Sequence, residues 1–236
     1  MTILLMGDEH TYGYGLSARQ LSYVGHFVRR LSHADQSVTV DAYAHATLSE
    51  SVQLLARLPL NQYDLIVLQL GPDLLRHLLR SRSESRAAVP VLPILKPAEP
   101  HADRPKKRQF AAAAAQLLDV AASVVPAAGY PGELARLLTL LRPYRHTTLL
   151  VTPFPCRTWP GQWLRERSRS VLLNEGTSQA FSVFDSGTVV QPRDEYFLTD
   201  DDEHLNAVGH ELIGRALFDF YQSAPTIVTV QAINRN

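Results

Sequence analysis

At 236 residues the chain is long enough for one α/β domain with a substantial core, and too short for two large ones. Lysine plus arginine equals aspartate plus glutamate, 23 each, so no overall field draws the protein to nucleic acid or to an anionic membrane. A single cysteine, Cys156, excludes an intrachain disulfide framework. No apolar run is long enough to span a bilayer. Residues 1–6 are apolar but lack a basic leader and are too short for a signal core. A cytoplasmic protein forming one domain over 1–236, with no nucleic-acid or membrane partner, is the expectation.

Thr2–Met6 is an unbroken apolar run stopped by Gly7, which predicts a buried first strand. From Ser17 to Leu31 the apolar residues Leu21, Val24, Phe27, Val28 and Leu31 recur at helical spacing, with Ser17 placed to cap. Val38-Thr39-Val40 is a short β-branched second strand ending at Asp41, and Leu48–Leu58 is a helix closed by Pro59. Tyr63–Leu70 predicts a third strand, stopping at Gly71-Pro72-Asp73. Arg80 to Gln109 carries prolines at 90, 93, 97, 100 and 105 among interleaved charges, so it reads as an insertion or flap. Its basic cluster, Arg104-Pro105-Lys106-Lys107-Arg108, is a solvated loop face or a contact for a phosphate or a protein partner. Phe110–Val125 and Gly132–Leu141 are helical, and His146–Thr152 is a fourth strand ended by Pro153-Phe154-Pro155. Leu164–Gln179 is a helix, Phe181–Phe184 a fifth strand, and Ala207–Tyr221 a closing helix with Val208, Leu212, Ile213, Ala216, Leu217 and Phe220 on one face. Thr226–Val230 is an extra strand or a frayed tail. Strands alternating with helices argue for a parallel sheet covered on both faces.

Chemistry concentrates in two places. Gly7-Asp8-Glu9 ends the first strand and is followed by Thr11-Tyr12-Gly13-Tyr14-Gly15; strand ends of this kind are where α/β sheets place ligands. Asp201-Asp202-Glu203-His204 and Asn206-Ala207-Val208-Gly209-His210 precede and open the last helix. Together these resemble the two end blocks of the SGNH (GDSL) hydrolase family, which begins with a strand and Gly-Asp-Ser and ends with Asp-x-x-His. The resemblance implies a flavodoxin-like three-layer αβα sandwich with a central parallel sheet of about five strands, and an ester-hydrolysing ancestry. It also implies that His204 is the base and Asp201 its orienting acid.

Three positions depart from the family pattern. Glu9 stands at the nucleophile position. The second-block glycine has no counterpart in Asp41-Ala42-Tyr43-Ala44-His45-Ala46, and Asp73 stands where the third block carries an asparagine oxyanion donor. Each change opposes acyl transfer. The leading expectation is therefore a catalytically inactive binding or regulatory protein whose small-molecule ligand meets Asp8, Gly71, Asp73 and His45 beside Glu9 and His204. An active esterase, acetylesterase or lipase in which Asp201–His204 activates water is the competing one. Glu9 as an ion-pair partner of His204 is the plain reading of the exchange, with the carboxylate also favoured at a helix start. A divalent metal held by Glu9, Asp73 and His204, with Asp8 or Asp41 nearby, is the sharper one, and no other cofactor is implied. Cys156 could be a thiol at the same edge or an ordinary loop residue, and Trp159 and Trp163 could line a groove or pack on the sheet.

Overall fold

Ile3, Leu4, Leu5 and Met6 carry no polar group that would favour water, and β1 (Thr2–Gly7) buries all four at the middle of a sheet. The structure, a computed structural model, describes residues 1–32, 37–44, 48–71, 89–90 and 130–224. In it β1 is joined by β2 (Thr39–Ala44), β3 (Leu65–Gln69), β4 (Val89–Pro90), β5 (Thr148–Val151) and β6 (Ser182–Phe184) in the order β4-β2-β1-β3-β5-β6. The five expected strands run parallel, with Leu4 opposite Asp41 on one side and Ile66 on the other. The two-residue β4 pairs antiparallel with Tyr43 and Ala44 at the sheet edge, where a proline is tolerated because no inner ladder needs its missing N–H.

Helices α1 (Tyr23–Ser32), α2 (Leu48–Leu55), α3 (Tyr130–Leu141), α4 (Trp159–Ser178) and α5 (Ala207–Ser223) cover the two faces. Successive side chains of a strand point to opposite faces, so the apolar strands feed two cores. Ile3, Leu5, Leu65, Val67, Leu149 and Val151 pack with Tyr23, Phe27, Ile213 and Leu217 of α1 and α5. Leu4, Met6, Ile66, Leu68 and Leu150 pack with Leu55, Leu134, Leu137 and Leu172 of α2, α3 and α4. Each such side chain contributes roughly 1.5–3 kcal/mol through burial. This is a three-layer αβα sandwich, and the order reverses between β1 and β3, the switch point at which ligands bind in such sheets.

The Asn206-Ala207-Val208-Gly209-His210 block has a structural reason. Asn206 Oδ1 accepts from the N–H groups of Val208 and Gly209, both at 3.0 Å, and so caps α5. Its amide donates to the carbonyls of Glu195 and Phe197. A Cβ on Gly209 would stand 2.8 Å from the Tyr196 carbonyl oxygen, and one on Gly214 would stand 2.5 Å from that of Tyr23. The second glycine lets α5 cross close against α1.

Several expectations are corrected. α1 starts at Tyr23, not Ser17, and Ser22 Oγ accepts from Gly25 N–H at its start. The reason is a double turn with Gly13 and Gly15 at positive φ, 78° and 77°, which carries the chain away before any helix forms. Leu21 and Val208 are 38% and 52% exposed and leave the core to their neighbours. α2 stops at Leu55, before a short 3-10 turn over Leu60–Gln62. α4 starts earlier than expected because Pro160 sits in its first turn, where its lost N–H has no intrahelical partner to miss. Trp159 is 66% exposed there and does not pack on the sheet. Asp41 lies within β2 and accepts a hydrogen bond from Tyr63 Oη at 2.9 Å, three residues short of the strand end, so it does not join the rim. The expected helix at 110–125, the tail strand at 226–230 and the 80–109 insertion, apart from Val89 and Pro90, lie outside the described residues.

Asn206→Ala removes a helix cap together with its two loop hydrogen bonds. We expect a loss of about 1–2 kcal/mol, read as a lower urea midpoint at unchanged slope.

Candidate functional site

Asp8 ends β1 and organises the turn that follows. Its N–H donates to Gln69 Oε1 at 2.8 Å, and Gln69 Nε2 donates back to Asp8 Oδ2 at 2.8 Å. The other oxygen, Oδ1, accepts from the backbone N–H of His10 at 3.0 Å and faces His10 Nδ1 at 3.0 Å. Burial alone would raise the Asp8 pKa, but the His10 charge and hydrogen bond, aided by Gln69, outweigh it and hold the group below its ordinary value. Gly7 makes this approach possible, since a Cβ there would collide with Thr11 and Gln69 side chains. Asp8, rather than Glu9, caps the short turn Glu9–Thr11.

That turn lifts Glu9 toward the second cluster. Asp201 Oδ1 accepts from the N–H groups of Glu203, at 2.8 Å, and His204, at 3.1 Å, folding the loop so that the ring returns to the carboxylate. His204 Nδ1 then donates to Asp201 Oδ2 at 2.6 Å. This local geometry is what the three-residue spacing provides. On the far side of the ring, Nε2 lies 3.6 Å from Glu9 Oε1, an ion pair rather than a hydrogen bond. Tyr14 lies over the ring with centroids 4.4 Å apart, and His10 sits 5.3 Å away on the same centroid measure.

Two arginines hold the loop. Arg165, 7% exposed, donates through Nη1 to the carbonyls of Phe154 (3.2 Å), Pro155 (2.9 Å) and Glu203 (3.4 Å). It thereby ties the segment after β5 to the Asp201–His204 turn. Arg157 reaches Asp194 and Asp202, each at 2.6 Å.

Burial pushes His204 toward the neutral form, yet the Asp201 hydrogen bond and the Glu9 and Asp201 charges overcome it and raise its pKa to about 9. Asp201 is also partly desolvated, but the His204 hydrogen bond and the backbone donors hold it far below the ordinary carboxylate range. At neutral pH the ring is an imidazolium between two carboxylates.

The structure thus brings together Asp8, Glu9, Asp201 and His204. Gly71 lies against Asp8, whose Cβ and Oδ2 would both be 3.6 Å from an added Cβ. Asp73 and His45 lie outside the described residues. Among the described residues no group of three or more His, Cys, Asp or Glu side chains is disposed to hold a metal ion. Cys156 is fully buried, its Sγ 3.5 Å from Thr158 Oγ1. Trp163 is half-buried on α4 with the Arg167 guanidinium 5.8 Å from its ring centroid. Sequence reasoning missed His10, Tyr14, Gln69 and Arg165. Gln69 was the legible one: it is the lone polar residue in Leu65-Ile66-Val67-Leu68-Gln69-Leu70.

Solved structures share this architecture over nearly the whole chain. A lipase/acylhydrolase from Enterococcus faecalis matches with a TM-score of 0.58 at 18% identity, covering 94% of this chain and 95% of its own. A lipase from a goat rumen metagenome matches at 0.57 and 17%, covering 96% and 98%. The aryl esterase of M. smegmatis matches at 0.54 and 15%, covering 94% and 98%. The fold is that of the SGNH (GDSL) hydrolases. No protein-family model and no curated protein sequence matches the chain. In this SGNH-like frame, Glu9 faces His204 Nε2 from the position at which the sequence resemblance expects a serine. No described helix is long and apolar enough to cross a membrane.

The charges set a pH window. His204 is raised above its ordinary 6.5, so its contribution to stability is complete below about 6.5 and is lost as pH climbs through about 9. Asp201 is lowered below its ordinary 3.8, so its contribution is present above that value and is lost in stronger acid. We expect the His204 ring protons to titrate near 9 by NMR, and Glu9→Gln to move that midpoint downward. A wild-type midpoint near 6.5 would contradict the ion pair.

Proposed function

We propose that this SGNH-like protein does not perform serine-type acyl transfer and serves as a binding or regulatory protein for a small ligand at the strand ends. One observation carries the reading: the ring that a serine esterase needs as a neutral base lies with Nδ1 on Asp201 and Nε2 facing the Glu9 carboxylate. An imidazolium has no lone pair with which to take a proton. A carboxylate is also a poor stand-in for an alkoxide toward an ordinary ester. The lipases and esterases among the structural neighbours fit the ancestry of the fold, while chemistry depends on the site built upon it.

The rim is acidic. Asp8, Glu9 and Asp201 gather around the His10 and His204 rings, and Tyr12 is 42% exposed next to them. Its phenol pKa is pushed up to about 12, by burial first and then by Glu9, Tyr14 and Asp8. A ligand bearing an amine or another organic cation suits this surface better than an ester does. The basic segment within 80–109 is proposed as a contact for a protein partner.

A second reading is favoured by the 2.6 Å Asp201–His204 bond, which preserves the orienting half of a catalytic dyad. In it the ring, once neutral, activates water for ester hydrolysis. Turnover of short-chain aryl esters and acetylated sugars separates the two. Wild type and His204→Ala are compared without metal and with added Mn²⁺ or Zn²⁺, from neutral pH to above the His204 midpoint. We expect no turnover above background in either protein. Wild-type turnover that disappears in His204→Ala establishes the hydrolase instead, and a metal requirement would make Glu9 and His204 candidate ligands.

A further inference from the structure

Beside the Asp201–His204 pair lies a second carboxylate–histidine pair, Asp8–His10, and behind it a third ring, His210. His10 is 2% exposed and His210 0%. The Nε2 atom of each has no hydrogen-bond partner. Their ring centroids are 5.8 Å apart and tilted by 46°, without a direct bond between them. We infer that one buried water molecule bridges His210 Nε2 and His10 Nε2, accepting a hydrogen bond from the first.

The polarity follows from what the other ring nitrogens do. His210 Nδ1 accepts from the backbone N–H of Tyr23 at 3.0 Å, so it carries a lone pair and the ring proton sits on Nε2. Burial first, and then the neighbouring His10, His26 and His204, keep this ring well below its ordinary pKa and therefore neutral. His10 Nδ1 faces the ionised Oδ1 of Asp8 at 3.0 Å, so it donates there and Nε2 is the nitrogen left for the water. Two buried ring nitrogens remain, and a buried polar atom is costly when its hydrogen bond is left unmade. A water offers the complementary pair of bonds, two of the two to four that internal waters make. A metal ion does not suit the pair. Binding at His210 Nε2 would need a lone pair there, and the only other lone-pair position already receives the Tyr23 N–H.

The bridge would complete one hydrogen-bonded chain from the start of α1, through α5, to the ends of β1 and β3: Tyr23 N–H, His210, water, His10, Asp8 and Gln69. His10 is the residue after Glu9, and its ring rests beside that of His204. It thus becomes a positioning residue for the turn that presents Glu9.

The test uses the full chain labelled with ¹⁵N at histidine. Long-range ¹H–¹⁵N spectra at pH 7 should place the ring proton of His210 on Nε2. A water-selective Overhauser experiment should give a cross-peak from His210 Nε2–H to a long-lived water. His210→Gln, which keeps an N–H donor at that end, should retain the water contact at the His10 ring, and His210→Phe should abolish it. The absence of a water cross-peak at His210, or a His10 water contact that survives in His210→Phe, overturns the bridge. So does a stoichiometric shift of both rings on adding Zn²⁺. The wild-type spectra decide the matter even if His210→Phe does not fold.

Discussion

The site depends on a partly buried carboxylate at the end of the central strand. An unpaired charge at that depth would be strongly destabilising, and Asp8 is tolerable because both oxygens and its own N–H are engaged by His10 and Gln69. Those bonds join the ends of β1 and β3, the neighbouring strands at which the sheet order reverses. They also start the turn that aims Glu9 outward. Gly7 is one consequence, because a Cβ there would collide with the Thr11 and Gln69 side chains, and Gly13 and Gly15 supply the positive φ of the turn that follows.

A second constraint comes from the other end of the chain. The Asp201 carboxylate is spent mostly on shaping its own loop, through two backbone N–H groups, before it bonds the ring. Arg165 and Arg157 then hold the loop against the segment after β5 and against Asp194. With the ring so placed, Asp201 does most to raise its pKa and Glu9 at Nε2 adds to it. Glu9 adds a second negative charge there and stabilises the cation. The proposed loss of acyl transfer and the proposed preference for a cationic ligand both rest on that charge.

The Asn206–His210 block is best understood as scaffolding. Its asparagine caps α5, its glycine clears a carbonyl, and its histidine accepts the first N–H of α1. That last bond satisfies one of the donors a helix start leaves open. It fixes α1 against α5, and with it the face of the sheet on which the Glu9 turn rests.

The sequence by itself determined the sheet and the two end blocks. Apolar runs such as Ile3–Met6 and Leu65–Leu68 have only one low-energy place, between two helical layers, and periodicity shows it without any knowledge of neighbours. The Asp201–His204 contact was equally legible, since three residues and one Asx turn close it locally. The resemblance also identified Glu9 as the residue opposite that ring. What tertiary structure alone decided is everything that joins distant segments: Gln69 to Asp8, Tyr23 to His210, Arg165 to Glu203, and Tyr14 over His204. It also decided that Ser22 rather than Ser17 begins α1, because two glycines at positive φ delay the helix in a way that apolar spacing does not register. Contacts closed within a turn follow from the order of residues, and contacts closed across the sheet follow from packing, which no local pattern encodes.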